Sequence, residues 1–160
     1  MSGLIGATLG VHIEGVVLGG SLEEPFAIRY AVMTDVEGQC RGVTARAMGS
    51  PVVLEVYGDG CGGWTDADGN VLREIDGAID VDLSITPATH VLAVRRLALG
   101  VDASVCVTVA CVDVLAGEIR GAQHRYARLG DDQYQVKESE TGATERCRLD
   151  REEWTFERLA

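Results

Sequence analysis

The sequence predicts an all-β fold, mainly antiparallel, in which one strongly curved sheet forms an open or half-barrel with little helix. Short runs rich in β-branched and aliphatic residues recur along the chain, and turns rich in glycine and aspartate separate them. No pattern of helical periodicity extends over ten residues. The chain has 160 residues without a linker or repeat, so one domain over residues 1–160 is expected.

The order of the predicted strands follows from these runs. They cover residues 11–18, 26–33, 43–48, 52–57, 79–85, 91–99, 104–115, 119–129, 133–138, 144–149 and 154–156. Strands 91–99 and 104–115 are largely apolar on both faces. Such strands either lie in the core between two layers or line an apolar cavity.

The segment 79–85 alternates strictly, with Asp80, Asp82 and Ser84 on the polar face. Residues 86–89 are interpreted as a hairpin loop, which places Asp80 opposite Arg95 and makes Asp82 its diagonal neighbour. A buried arginine needs such an acceptor. The pattern leaves three interpretations: a structural ion pair, a polar cluster facing a ligand, or a catalytic carboxylate pair.

Charge and cysteine content limit the class of protein. A net charge of −11 argues against nucleic-acid binding and against electrostatic docking on anionic membranes. The five cysteines form no C-x-x-C pair, so reduced thiols in a cytoplasmic protein are expected, with neither a zinc site nor disulfides. The first twenty residues lack a basic region and contain His12 and Glu14, and no apolar run reaches transmembrane length.

Two short motifs in the segment 58–70 are interpreted as turns. Residues 58–63 match G-x-G-x-x-G, but no helix start follows, as a dinucleotide site would require. Asp66, Asp68 and Asn70 resemble part of a calcium loop, yet Gly77 stands where the bidentate Glu belongs. Asp68-Gly69 is instead a strong hairpin signal. No cofactor or metal is therefore predicted.

The central segment also resembles a known family. Its pattern is D-G-x-x-D-V-D-[IL]-x-x-T-P-x-T, followed by an apolar segment ending in R-R-L. The matching residues are Asp76, Gly77, Asp80, Val81, Asp82, Leu83, Thr86, Pro87, Thr89, Arg95, Arg96 and Leu97. This pattern resembles that of bacterial proteins described as putative glycolipid-binding, and the resemblance extends over about residues 26–158.

Some positions depart from the family pattern. His90 stands where the family usually has Asn, and Ala93 stands where Pro is usual. His124 directly precedes Arg125-Tyr126, so it replaces the Gln of the family's Q-R-Y element.

The resemblance implies a half-barrel whose concave face holds a lipid or glycolipid without catalysis. Polar and aromatic groups would then contact the head group. The candidate ligand-binding residues are Trp64, Asp80, Asp82, His90, Arg95, Arg96, His124 and Tyr126.

Two alternatives of other classes remain open. An enzyme could use Asp80 and Asp82 on a small or carbohydrate substrate, since their Cα atoms would lie ~6.6 Å apart on a strand. The three histidines show neither zinc-ligand spacing nor a nearby G-x-S-x-G motif. A structural or protein-interaction module with a filled core is the other alternative, and a homodimer is plausible because sheet edges need cover.

Overall fold

The computed structural model describes residues 9–51, 53–150 and 156–159, which form two sheets and one α-helix. The first sheet has strand order β1-β2-β3-β4-β5, and the second has order β11-β10-β9-β8-β7-β6. The strands are β1 (Leu9–Gly20), β2 (Pro25–Asp35), β3 (Cys40–Ala47), β4 (Val53–Gly58), β5 (Trp64–Asp66), β6 (Asp80–Leu83), β7 (Ser104–Asp113), β8 (Glu118–Arg128), β9 (Gln133–Glu138), β10 (Thr144–Leu149) and β11 (Phe156–Leu159). The predicted all-β class is confirmed.

The first sheet is an antiparallel meander in which each strand pairs with the next one in sequence. Both motifs of the segment 58–70 are turns, as expected. Asp59 N–H donates to the Gly63 carbonyl across the glycine-rich segment. The Asp66 carboxylate accepts hydrogen bonds from the backbone of Asp68 and Asn70, and Gly69 has the positive φ of 85° that this turn requires.

The second sheet is an antiparallel meander from β7 to β11, but β6 runs parallel to β7. A parallel pair needs a crossover connection. The helix α1 (His90–Leu97) provides it. The predictions of a hairpin loop at 86–89 and of a strand over 91–99 are therefore wrong.

The physical reason for this error lies in the residues that precede α1. The Thr86 hydroxyl accepts a hydrogen bond from Ala88 N–H, and Pro87 opens a short 3-10 turn that leads into the helix. Threonine followed by proline is a helix-start signal, because proline has a suitable φ and no N–H to leave unsatisfied. The helix ends at Leu97, and the capping residue Ala98 has the left-handed φ of 46°.

Two apolar cores lie on the opposite faces of the second sheet. The first core lies between the sheets and includes Ile28, Val43, Val81 and Leu83. The second lies between α1 and the second sheet; its buried members are Val91, Ala93, Val94, Val109, Tyr126, Tyr134, Val136 and Leu149. In the second half of β7, Val109 faces the second core while Ala110 and Val112 face the first, so this part of the strand lies between layers, as one of its two interpretations stated.

Further predictions concern the alternating segment, the cysteines, membrane-spanning helices and the last strand. The alternation predicted over 79–85 is confirmed for β6, which covers residues 80–83, because Val81 and Leu83 face the first core while the aspartates face the helix side. All five cysteines are free thiols. Among the described residues, no helix is long and apolar enough to cross a membrane. Strand β11 closes the second sheet, whereas residues 154 and 155 of the predicted last strand lie outside the described residues.

Candidate functional site

Two aspartates on the same face of β6 meet different partners. Asp80 is 3% exposed, and the Arg96 guanidinium binds both of its oxygens, with 2.9 Å between Nε and Oδ1 and a second bond from Nη2 to Oδ2. The hydrogen bond to Asp80 raises the pKa of Arg96. Arg95 is exposed, so the predicted pairing of Asp80 with Arg95 is wrong.

Asp82 faces two buried histidines, and these three residues are called the Asp-His cluster here. Asp82 Oδ1 lies 3.8 Å from His90 Nε2, and its Oδ2 lies 4.0 Å from His124 Nε2. His90 comes from the first residue of α1, and His124 comes from the middle of β8. Both are less than 5% exposed.

Neighbouring side chains orient the two imidazoles. His90 Nδ1 forms a 2.9 Å hydrogen bond with the hydroxyl of Tyr126, whose ring is fully buried. His124 Nε2 lies 3.6 Å from the Cys111 sulfur. The other nitrogen of His124, Nδ1, is buried without a hydrogen-bond partner among the described residues.

Burial controls the protonation of this region. It lowers the pKa of His124, although the charge of Asp82 acts in the opposite direction. Burial also raises the pKa of the Cys111 thiol to about 12, and the Asp82 carboxylate adds to that rise. Tyr126 has a pKa well above its usual value for the same reason. At neutral pH the cluster therefore presents a neutral His124 imidazole beside a protonated thiol and phenol.

The Asp-His cluster opens into a polar cleft of about 140 Å³. Glu138 and Glu145 complete its acidic lining, and Glu145 Oε2 lies 3.9 Å from His90 Nε2. Glu138 forms an ion pair with Arg120 at 2.7 Å, which contributes to the lowered pKa of its carboxyl. Sites that bury a drug-sized ligand typically measure about 300–1,000 Å³. The polar cleft can hold an ion or a small polar group, but not an acyl chain.

A larger groove lies between the first sheet and the β7–β8 turn, and it is called the interlayer groove here. Its volume is about 630 Å³. It is lined by Ala45, Ala47, Ser50, Leu54, Glu55, Val56, Asp66, Ala67, Asp68, Leu72, Val114, Leu115, Ala116, Gly117 and Ile119. Several of these aliphatic side chains pack against the edge of the first core, so the floor of the groove continues that core.

Comparison with known proteins identifies the family. The sequence pattern described as putative glycolipid-binding matches residues 4–155. The chain belongs to this family. Its fold is similar to that of a DUF1089 family protein from Pseudomonas aeruginosa, whose crystal structure has a TM-score of 0.83 at 21% sequence identity. The match covers 96% of this chain and 88% of that protein. No curated protein matches the chain significantly.

In this member of the putative glycolipid-binding family, four of the eight candidate residues come together. Asp82, His90, His124 and Tyr126 form the Asp-His cluster and its immediate support. Asp80 and Arg96 form the adjacent ion pair. None of these six residues lines the interlayer groove.

The other two candidate residues lie elsewhere. Trp64 is 2% exposed in the first core, where its indole N–H donates to the Ala78 carbonyl at 2.8 Å. Arg95 lines a shallow depression beside Thr34 and Val36, away from the polar cleft. The two carboxylates named in the enzyme alternative have different partners, because Asp80 is buried and held by Arg96 while Asp82 faces the histidines.

Sequence reasoning missed Glu138, Glu145 and Cys111. Cys111 lies in the apolar run of β7, and Glu138 and Glu145 stand at ordinary polar positions of β9 and β10, so nothing local marks them. Only the pairing of β7 through β10 brings them near Asp82. The sequence nevertheless marks both histidines, because His90 and His124 stand where the family usually has Asn and Gln.

Proposed function

We propose that the protein binds a neutral glycolipid and holds its acyl chain in the interlayer groove. The observation that carries this proposal is the volume and aliphatic lining of that groove. At about 630 Å³, it falls within the range of 300–1,000 Å³ that is typical of small-molecule sites. Burial of an acyl chain against such a lining is favourable by about 25 cal/mol per Å² of apolar surface.

The charges around the groove favour a sugar head group over a phosphate. The charged residues that line it are Glu55, Asp66 and Asp68, all of them acidic. With a net charge of −11, the protein repels an anionic head group. Sugar hydroxyls, in contrast, can donate hydrogen bonds to carboxylates. The family description, putative glycolipid-binding, agrees with this preference.

The experiment compares two amphiphiles that share one alkyl chain. Native mass spectrometry of the purified 160-residue chain is recorded with an alkyl glucoside and with the alkyl phosphate of the same length. We expect a complex of one protein with one alkyl glucoside, and at least tenfold weaker binding of the phosphate. Equal binding of both amphiphiles would contradict the preference for a neutral head group.

A variant that fills the groove tests its location. Ala47 is half-buried in the groove, so Ala47→Trp places an indole where the alkyl chain would lie. The control is Val101→Trp, which introduces the same indole at an exposed turn outside the groove. Alkyl glucoside binding should be lost in the first variant and kept in the second, provided that both retain cooperative thermal unfolding. Retention of binding in a folded Ala47→Trp protein would refute the proposed groove.

A further inference from the structure

We propose that Asp82, His90 and His124 form a binding site for one divalent ion of a first-row transition metal. This inference goes beyond lipid binding and does not depend on it, because none of the three residues lines the interlayer groove. The residues reach the polar cleft from β6, the start of α1 and the middle of β8, so three separate elements hold the site.

The distances between the donor atoms fit a site that tightens around an ion. One ligand atom from each residue can be chosen so that all three lie within 4.8 Å of one another. The two distances from Asp82 oxygens to imidazole Nε2 atoms are 3.8 and 4.0 Å. Bonds of 2.0–2.2 Å in a tetrahedral zinc site place the ligand atoms about 3.4 Å apart. Small side-chain rotations toward the ion therefore suffice.

The hydrogen bond behind His90 supports this role. A metal-bound histidine usually donates its second N–H to an oxygen, which fixes the ring and leaves the other nitrogen free to coordinate. His90 Nδ1 lies 2.9 Å from the Tyr126 hydroxyl, while its Nε2 faces Asp82. With the proton on Nδ1, the lone pair of Nε2 points to the centre of the cluster.

His124 is the third proposed ligand. Its imidazole is 3% exposed, and its Nδ1 has no hydrogen-bond partner among the described residues. Burying a polar ring is unfavourable unless its atoms find partners. Its Nε2 faces Asp82 Oδ2, so an ion bound there would give this ring a strong partner, while Nδ1 would carry the proton.

The donor set indicates the class of ion. Imidazole nitrogens suit zinc, copper, iron and nickel, whereas magnesium and calcium prefer sites made of oxygens alone. Three protein ligands also leave at least one coordination position for water, as in open zinc sites. The polar cleft lies next to the cluster, with Glu138 and Glu145 in its wall. That position is therefore reachable from solvent.

The test is a titration of the 160-residue protein with Zn²⁺ alone after removal of bound metal by a chelator. Isothermal titration calorimetry should give one ion per chain, and equal concentrations of Mg²⁺ should give no binding. Asp82→Asn, His90→Ala and His124→Gln should each weaken zinc binding more than a hundredfold, since the loss of a supporting partner alone costs ten- to a hundredfold. Tyr126→Phe should weaken zinc binding only ten- to a hundredfold, because Tyr126 supports His90 and is not itself a ligand.

His12→Ala is the matched control, because His12 is an exposed histidine on β1 that faces Glu14 instead of the cluster. Zinc affinity should not change in this variant. Thermal unfolding provides a second readout, since saturating zinc should raise Tm of the wild type and of His12→Ala but not of the ligand variants.

The following results would overturn the proposed metal site or decide between the variants. Absence of zinc binding to the wild type, or unchanged affinity in all three ligand variants, would overturn the site. If His124→Gln fails to fold, Asp82→Asn decides, because the Asp82 side chain is 24% exposed and its replacement is nearly isosteric. Alkyl glucoside binding is measured separately with and without zinc, so failure of one proposal is distinguishable from failure of the other.

Discussion

Asp80 and Asp82 are the same residue type on the same face of one strand, two positions apart, yet their surroundings differ. Asp80 is buried and meets a permanently charged guanidinium from the end of α1. Asp82 is partly exposed at the polar cleft and meets imidazoles from the start of α1 and from β8. Because α1 runs back along β6, one eight-residue helix supplies both kinds of partner.

The difference shows what makes a carboxylate structural or functional. Asp80 is neutralised by Arg96 through two hydrogen bonds, so its charge is already compensated. Asp82 lies beside the His124 ring, which carries little charge at neutral pH because burial lowers the pKa of His124. A cation can still be accommodated at Asp82, whereas Arg96 already occupies that role at Asp80.

The largest loss of stability should follow from removal of Arg96, the partner of Asp80. Arg96→Ala leaves the buried Asp80 charge unpaired, and we expect a loss of about 3–5 kcal/mol in the free energy of unfolding, measured by urea denaturation. The neighbouring Arg95→Ala is the control, with an expected loss below about 1 kcal/mol because Arg95 is exposed. Equal losses in the two variants would contradict the assignment of Arg96 as the partner.

A double-mutant cycle sharpens the same test. Asp80→Ala and Arg96→Ala should each destabilise, but the double variant should lose less than the sum, because neither charge remains unpaired. Urea denaturation of the four proteins gives the coupling energy. Strictly additive losses would show that the two groups do not interact.

A smaller effect should appear with pH at the Asp-His cluster. His124 has a folded-state pKa below its ordinary value of 6.5, so the unfolded chain binds a proton first as the pH falls. Stability should therefore decrease below pH 6.5, by at most about 1.4 kcal/mol per pH unit, and should gain nothing from this group above that pH. In His124→Gln, the urea midpoint measured between pH 5 and 7 should depend less on pH, because this titrating group is gone. An unchanged pH dependence would show that other groups cause the loss of stability.

The smallest effect on stability should come from Asp82 itself. Asp82→Asn should change the free energy of unfolding of the metal-free protein by less than about 1 kcal/mol, because the side chain is partly solvated. Asp80→Asn should cost clearly more, since it weakens the buried pair with Arg96. A larger loss of stability in Asp82→Asn than in Asp80→Asn, measured by urea denaturation, would contradict the assignment of Asp80 as the structural carboxylate.

Local patterns were sufficient for most of the fold. Strict alternation located β6, and strands β9 and β10 begin and end at the predicted residues, because their side chains obey the two-residue period. The segment 90–97 was misassigned because it is short and its apolar residues 91–94 are consecutive, so periodicity cannot separate a buried helix from a buried strand. The Thr86-Pro87 start signal carried the missing information.

The same misassignment explains the error in the site. On a strand, Arg95 and Arg96 face opposite ways, whereas on α1 they lie on adjacent parts of one helix and only Arg96 reaches Asp80. His90 and Asp82 were both named as candidates, but their proximity depends on the crossover through α1. The periodicity of a segment predicts its secondary structure, but it does not predict which distant elements that segment will contact.

Each sheet is built from one continuous part of the chain, with β1–β5 preceding β6–β11. During synthesis, the first sheet can pair all of its strands before the second sheet emerges from the ribosome. Its inner face, which includes Ile28, Val43 and Val56, stays uncovered until Val81, Leu83 and Val112 arrive. We therefore expect the growing chain to pass through a stage with an exposed apolar sheet face, at which it is most prone to aggregate and most dependent on chaperones.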